Sequence, residues 1–282
     1  MKNSGKKAVL WFAAAVLCLA FATPALAGLR IDKPKVRLLI KPGSYASDEI
    51  KVENTGKETM AVKVYLEDWV YSQQDGAKDF FPKGSTPLSC SPWMTFYPAD
   101  LKLEAGKTAM VRYTVNVPAD ARGGHYCVMF FETAGGDIEQ DTPEGTTAFI
   151  KVLNRVGALF YVEAEGTVEK KAELRNIRIN QKLNDFIVSA EFANTGNTDI
   201  TAQGTFDVLD ASGVVYARGA FQEVYTLAGD KASLQASAFS VNLQPGPYDI
   251  LMTLDFQNGG SLIQEANFTV GARGEVQDIR LK

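Results

Sequence analysis

The chain holds one histidine, His125, and three cysteines, Cys18, Cys90 and Cys127. One imidazole is enough for a Ser-His-Asp triad but not for a zinc site, which needs several His, Cys or carboxylate ligands. No Gly-x-Ser-x-Gly elbow occurs, and the serines and aspartates are scattered through turn-forming stretches. His125, beside Tyr126 at the start of an expected strand, therefore reads as an end-of-sandwich residue rather than a catalytic base. The acidic residues Asp137, Glu139, Asp141 and Glu144 could offer oxygen ligands to Ca²⁺, but they lack the EF-hand spacing and read as a solvated loop. No Cys-x-x-Cys is present, and no glycine loop follows a strand to open a helix. No metal or other cofactor is expected, and an enzyme is the least supported class.

The N-terminus sets the compartment. Lys2, Lys6 and Lys7 precede an uncharged apolar run from Ala8 to Phe21, which Pro24 breaks and Ala25-Leu26-Ala27 closes with small residues. This is the pattern of a signal peptide over residues 1–27, and the run is shorter than the ~20 residues a membrane span needs. Cys18 follows Leu17 rather than a small residue, which argues against a lipoprotein site. The mature chain is expected to be periplasmic or secreted, with no membrane span. Three of the 29 Lys and Arg fall in the leader and none of the 33 Asp and Glu do, so the remainder carries about −7. That charge argues against nucleic acid or an anionic membrane surface as a partner.

In an oxidising compartment the remaining pair, Cys90 and Cys127, suggests a disulfide, the alternative being two separate buried thiols. Trp69 and Trp93 are the other large core candidates, and Trp93, three residues after Cys90, is expected to pack against the bridge. Phe80-Phe81-Pro82 lies in a loop-rich insertion without alternation, so Phe80 and Phe81 are candidates for an exposed aromatic contact with a partner.

The elements that must position these residues are strands. Val111, Tyr113, Val115 and Val117 alternate with Met110, Arg112, Thr114 and Asn116, and Ile50 and Val52 alternate with charged neighbours. Turn signals such as Pro42-Gly43, Asn54-Thr55-Gly56, Gly123-Gly124 and Ser212-Gly213 punctuate the pattern, and no long amphipathic helix is visible. The halves echo each other. Ile50–Gly56 is answered by Ala190–Gly196, each a strand running into Asn-Thr-Gly, and Leu103–Lys107 is answered by Leu227–Lys231. The expected fold is all-β, two tandem immunoglobulin-like sandwiches of common ancestry. The divisions expected are a signal peptide 1–27, domains 28–165 and 166–271, and a polar tail 272–282.

Asp32–Gly43 with the Asn54 turn, Pro92–Pro98, Leu103–Lys107, Val117–Asp120 and Asn154–Tyr161 resemble PapD-like periplasmic pilus chaperones over about residues 29–165. The same residues are similar to the chaperone-like peptidoglycan-binding domain of WxL-interacting surface proteins. The chaperone resemblance implies a role in pilus assembly, with capture of a secreted or surface protein subunit by edge-strand pairing along Thr147–Val156, including Thr147 and Phe149. It also implies two cations clamping a C-terminal carboxylate, whose counterparts are Lys35 and Arg155. The other resemblance implies a structural envelope protein with a cell-wall glycan as partner.

Overall fold

Period-2 alternation becomes strand wherever it was read, because each strand buries one row of side chains and wets the other. The structure, a computed structural model, describes residues 28–72, 76–141, 147–182, 185–239, 241, 243–257 and 259–282. Ten strands build the first sandwich: β1 (Leu29–Ile31), β2 (Lys35–Ile40), β3 (Tyr45–Asn54), β4 (Met60–Tyr71), β5 (Lys78–Pro82), β6 (Met94–Tyr97), β7 (Asp100–Leu103), β8 (Thr108–Asn116), β9 (Gly124–Asp141) and β10 (Thr147–Ala164). One sheet has the order β1-β3-β8-β6, and the other β2-β10-β9-β4-β5 with β7 also on β4. Ile50, Val52, Val111, Tyr113 and Val115 meet Met129, Phe131, Ala158 and Phe160 between the sheets.

The second sandwich follows with β11 (Ala172–Lys182), β12 (Asp185–Asn194), β13 (Ile200–Leu209), β14 (Val215–Thr226), β15 (Lys231–Ala238), β16 (Gly246–Phe256), β17 (Ser261–Val270) and β18 (Val276–Leu281). Its sheets are β11-β12-β15 and β14-β13-β16-β17-β18, closed on a core of Phe186, Phe192, Phe206, Ile250 and Phe268. The fold is all-β, two immunoglobulin-like sandwiches in tandem. Between β10 and β11 the backbone turns at Gly166, with φ +76°. One expectation fails. Residues 276–281, read as part of a polar tail, form β18 on the edge of β17, where Val276 and Ile279 pack against the core. Only those two apolar side chains face inward, which left the strand looking polar in sequence.

The first strand is divided between sheets. β1 pairs antiparallel with β3, whereas β2 pairs parallel with β10, Lys35 opposite Leu159 and Arg37 opposite Tyr161. Pro34 lies between them; it has no N–H to give to a ladder, so the chain changes sheet there, and its carbonyl accepts from Leu159 N at 3.0 Å. The β9–β10 hairpin is paired from Thr147↔Asp141 to Glu163↔Gly124, with one bulge at Val152/Leu153.

The sequence echo is also a structural one. Asn54 Nδ2 donates to Glu58 O (2.7 Å) and Leu103 O (3.0 Å), and its Oδ1 accepts from Gly56 N at 2.8 Å. Asn194 Nδ2 donates to Thr198 O (2.8 Å) and Leu227 O (2.9 Å), and its Oδ1 accepts from Gly196 N at 3.0 Å. Each Asn thus ties a β-turn to the start of a distant loop.

Candidate functional site

Two features of β10 make the candidate site: an open edge, and a cationic corner where that edge ends. β9 pairs with one side of β10 along its length, but on the other side β2 covers only Leu159 to Ala164. From Thr147 to Ala158 no strand pairs with this second edge among the described residues, so its backbone groups face outward. A cleft of about 1380 Å³ lies along the stretch, lined by Leu29, Met60, Leu101, Lys151, Leu153 and Val156 among others. Leu153 is half exposed, and Ala158 is buried.

At Leu159 the open edge gives way to Lys35. Residues two apart on a strand share a face, so Lys35 and Arg37 project together towards the second sandwich. Both lie over the Tyr161 ring, Lys35 Nζ at 4.8 Å and Arg37 Cζ at 4.3 Å from its centroid. Lys78 joins them from β5, 5.4 Å from the Tyr71 centroid, and Tyr71 and Tyr161 place their hydroxyls 3.4 Å apart. Beneath is a second apolar cluster on the outer face of the sheet: Trp69, Tyr126, Val128, Phe130 and Tyr161, completed by Leu227 from the second sandwich. The outer face of an antiparallel sheet is ordinarily polar; here it is apolar because the neighbouring sandwich and β5 cover it.

The joint between the sandwiches is polar at its rim. Asp199, only 3% exposed, receives both arms of Arg37, Nη1 to Oδ1 at 3.2 Å and Nη2 to Oδ2 at 2.5 Å. Thr198 Oγ1 donates to Glu163 at 2.8 Å, and Gly124 N donates to Asn197 O at 2.8 Å. Tyr71 and Tyr225 face each other across the joint with centroids 5.8 Å apart. Gly123, at φ +70°, allows this approach: a Cβ there would lie 2.2 Å from Asn197 O.

Electrostatics follow from this crowding. Burial lowers the pKa of Lys35, Arg37 lowers it further, and Asp199 and Glu223 oppose both. Arg37 loses solvation, yet the Asp199 carboxylate in its fork raises its pKa. Burial pushes up the Tyr71 and Tyr161 phenols. Lys35, Arg37 and Lys78 stand against Asp199, Glu163 and Glu223, three charges of each sign, but Lys35 has no ion-pair partner within reach among the described residues. Its open ammonium is the group of this corner that can take an anion.

The residues picked from sequence fare unevenly. Lys35 is in the corner, but Arg155 is not beside it. Arg155 stands opposite Glu132, pairs with Glu67 at 3.2 Å and covers the Phe130 and Phe80 rings at 4.2 and 5.1 Å. The expected clamp of Lys35 with Arg155 is therefore not formed; the parallel register sets Lys35 opposite Leu159, four residues from Arg155, and Arg37, two residues on in β2, is its neighbouring cation instead. Thr147 and Phe149 lie on β10 opposite Asp141 and Glu139, and their side chains are not among those described. The same holds for Asp137, Glu139 and Asp141, and Glu144 lies outside the described residues. Phe81 is exposed as expected, but Phe80 packs edge-on against Phe130 at 4.9 Å, so it offers little free surface.

The expected disulfide is absent. Cys90 and Cys127 are buried free thiols with sulfurs 3.1 Å apart, well beyond the ~2.05 Å of a bond. Cys127 Sγ also approaches Met94 Sδ at 3.1 Å, and burial raises the Cys127 pKa far above its ordinary value. Trp93 is half-buried and rests on His125, ring centroids 4.2 Å apart, while Trp69 is buried in the outer cluster and donates from Nε1 to Cys127 O at 3.0 Å. His125 Nε2 lies 3.1 Å from Arg122 O, and burial lowers its pKa. Sequence reasoning missed Arg37, Tyr161 and Asp199. The spacing Lys35-x-Arg37 was a readable signal for the first, whereas Asp199 reaches the site only through the joint.

No family model and no curated protein matches the chain. Among solved structures the chain is similar to one from the chaperone–tip adhesin complex of CFA/I fimbriae biogenesis, at 18% identity over 85% of this chain and 98% of that one, with TM-score 0.44. A chain of the chaperone–tip adhesion subunit pre-assembly complex of Acinetobacter baumannii Csu pili matches at 13% identity over 85% and 98%, TM-score 0.41. The Pseudomonas aeruginosa CupB2 chaperone matches at 10% identity over 84% and 98%, TM-score 0.41.

Proposed function

We propose that this chain is an extracytoplasmic, non-enzymatic binding protein that captures the extended C-terminal segment of a protein partner. The partner strand would pair with the open edge of β10, and its terminal carboxylate would meet Lys35. One observation carries this reading: the open edge ends at Leu159, directly opposite Lys35.

Direction follows from charge. A strand lying on that edge continues the line of β2 and stops against Pro34 and Lys35. Running parallel to β10, it brings its C-terminus to the cations; running antiparallel, it brings its ammonium group there and is repelled. Backbone pairing supplies affinity without demanding a sequence, and the carboxylate supplies orientation through a charge-assisted hydrogen bond. Leu153 and Val156 flank the edge on opposite faces of β10, and Val156, on the face that packs against the core, would contact the partner's apolar row. The leader read over residues 1–27 supports a site of action outside the cytoplasm.

The test is a binding titration with a short alternating Val-Thr peptide carrying a free C-terminal carboxylate, beside the same peptide amidated. The acid is expected to bind more tightly by about tenfold, as one charge-assisted hydrogen bond allows. Equal affinities would sink the reading. Crosslinking of the mature protein in its own envelope provides the second arm. Links from Lys151 to a secreted β-rich subunit support capture, and recovery with wall fragments alone supports a structural envelope role instead.

A further inference from the structure

We infer that Asp199 is a resident carboxylate occupying the Arg37 half of the cationic corner, so that full capture of a partner's carboxylate exchanges it for Asp199 and loosens the joint between the sandwiches. This rests on the proposed capture of a carboxylate at Lys35.

The geometry is that of a filled binding site. Arg37 is a planar fork, and both of its terminal nitrogens are committed to the two oxygens of Asp199, at 3.2 and 2.5 Å. Fork-to-fork pairing is the arrangement by which an arginine takes a carboxylate from solution. Lys35 shares the Tyr161 ring with Arg37, yet it forms no ion pair among the described residues. Of two adjacent cations, one is thus satisfied internally and the other is open.

A captured carboxylate therefore begins with Lys35, a point charge without directional preference. It can gain the end-on Nη1–Nη2 fork of Arg37 by displacing Asp199, which holds both of those nitrogens. That displacement has a structural cost, because Asp199 follows Asn197 and Thr198, whose bonds to Gly124 and Glu163 hold the sandwiches together. Asp199 is almost fully buried, so it does not leave for solvent unless the joint opens. Binding and opening share one residue, and linkage requires each to favour the other.

Asp199→Asn tests the exchange. The amide keeps the shape but surrenders the charge, so Arg37 becomes available to an incoming carboxylate. The acid form of the Val-Thr peptide is expected to bind Asp199→Asn about tenfold more tightly than it binds the wild type. The amidated peptide should be unchanged, and adding Arg37→Ala should erase the gain. An acid-to-amide ratio that stays at its wild-type value in Asp199→Asn overturns the inference while leaving capture at Lys35 intact. Equal binding of acid and amide to the wild type removes the capture reading itself. Should Asp199→Asn fail to fold, hydrogen exchange on the wild type decides. Faster exchange of the amides around Asn197–Ile200 on adding the acid peptide, and not the amide, supports the exchange; unchanged or slower exchange rejects it.

Discussion

Asn54 and Asn194 occupy equivalent corners of the two sandwiches, and each closes its corner with the same three bonds. Each donates to a carbonyl four residues on and to the carbonyl of a leucine, Leu103 or Leu227, while accepting from a glycine N–H two residues on. Both side chains are buried, so their loss strands carbonyls that water cannot reach. Asn54→Ala and Asn194→Ala are each expected to cost about 1–3 kcal/mol. The tryptophans among the described residues, Trp69 and Trp93, both lie in the first sandwich. Denaturant titration followed by tryptophan emission should therefore shift for Asn54→Ala, and for Asn194→Ala only in so far as the sandwiches unfold together.

Lys35 and Arg155 should separate in a binding assay. Lys35→Ala is expected to abolish the preference for a free carboxylate, a loss of about tenfold. Arg155→Ala should leave that preference in place, because its guanidinium pairs with Glu67 and covers Phe130. A carboxylate preference lost equally in both variants contradicts the corner as described.

The thiols of Cys90 and Cys127 should be silent in the native protein. Both are fully buried, and burial disfavours the Cys127 thiolate, the form that reacts. Iodoacetamide followed by peptide mapping should leave Cys90 and Cys127 unmodified in the reduced, folded chain and alkylate both after unfolding in urea. Rapid native labelling of either cysteine contradicts the burial.

Stability should fall on mild acidification because of His125. Burial holds its folded pKa below the ordinary 6.5, so the unfolded chain binds the proton more readily. The contribution is complete above about pH 6.5 and is lost as pH falls towards and through the depressed folded value. Replacing His125 with Asn should flatten the urea midpoint across that window relative to the wild type.

Gly123→Ala reports on the joint. At φ +70°, with Asn197 O 2.2 Å from the added carbon, the alanine must push the second sandwich away or distort its own backbone. A cost of about 1–3 kcal/mol is expected, with faster cleavage around Gly166 in limited proteolysis. Unchanged protection there would show that the contact is not tight.

Much of this architecture was legible in the residues. Alternation at Val111–Val117 and the Asn-Thr-Gly echoes identify strands, turns and duplication, because side-chain period and turn chemistry are local properties. Trp69, expected in the core of the sandwich, lies instead in the apolar cluster on the outer face, which becomes buried only because β5 and the second sandwich cover it. The site was less legible because it depends on register and on the joint. Lys35 could be picked from its strand, but only the pairing of Lys35 with Leu159 shows that Arg155 stands four residues away along β10. Asp199 is 162 residues from Arg37 in sequence, and no local pattern joins them. Cys90 and Cys127, expected as a disulfide, lie side by side as free thiols, and proximity of two thiols does not make a bond.

Pro34 also acts as a stop on a measuring rod. The regular open edge of β10 begins after the bulge at Val152/Leu153 and ends at Ala158, where Pro34 turns β2 into the sheet. At a rise of about 3.3 Å per residue this is a slot of roughly 17 Å. A strand captured there as proposed would be set in register from its fixed terminus, whatever its length, because the other end of the edge is open.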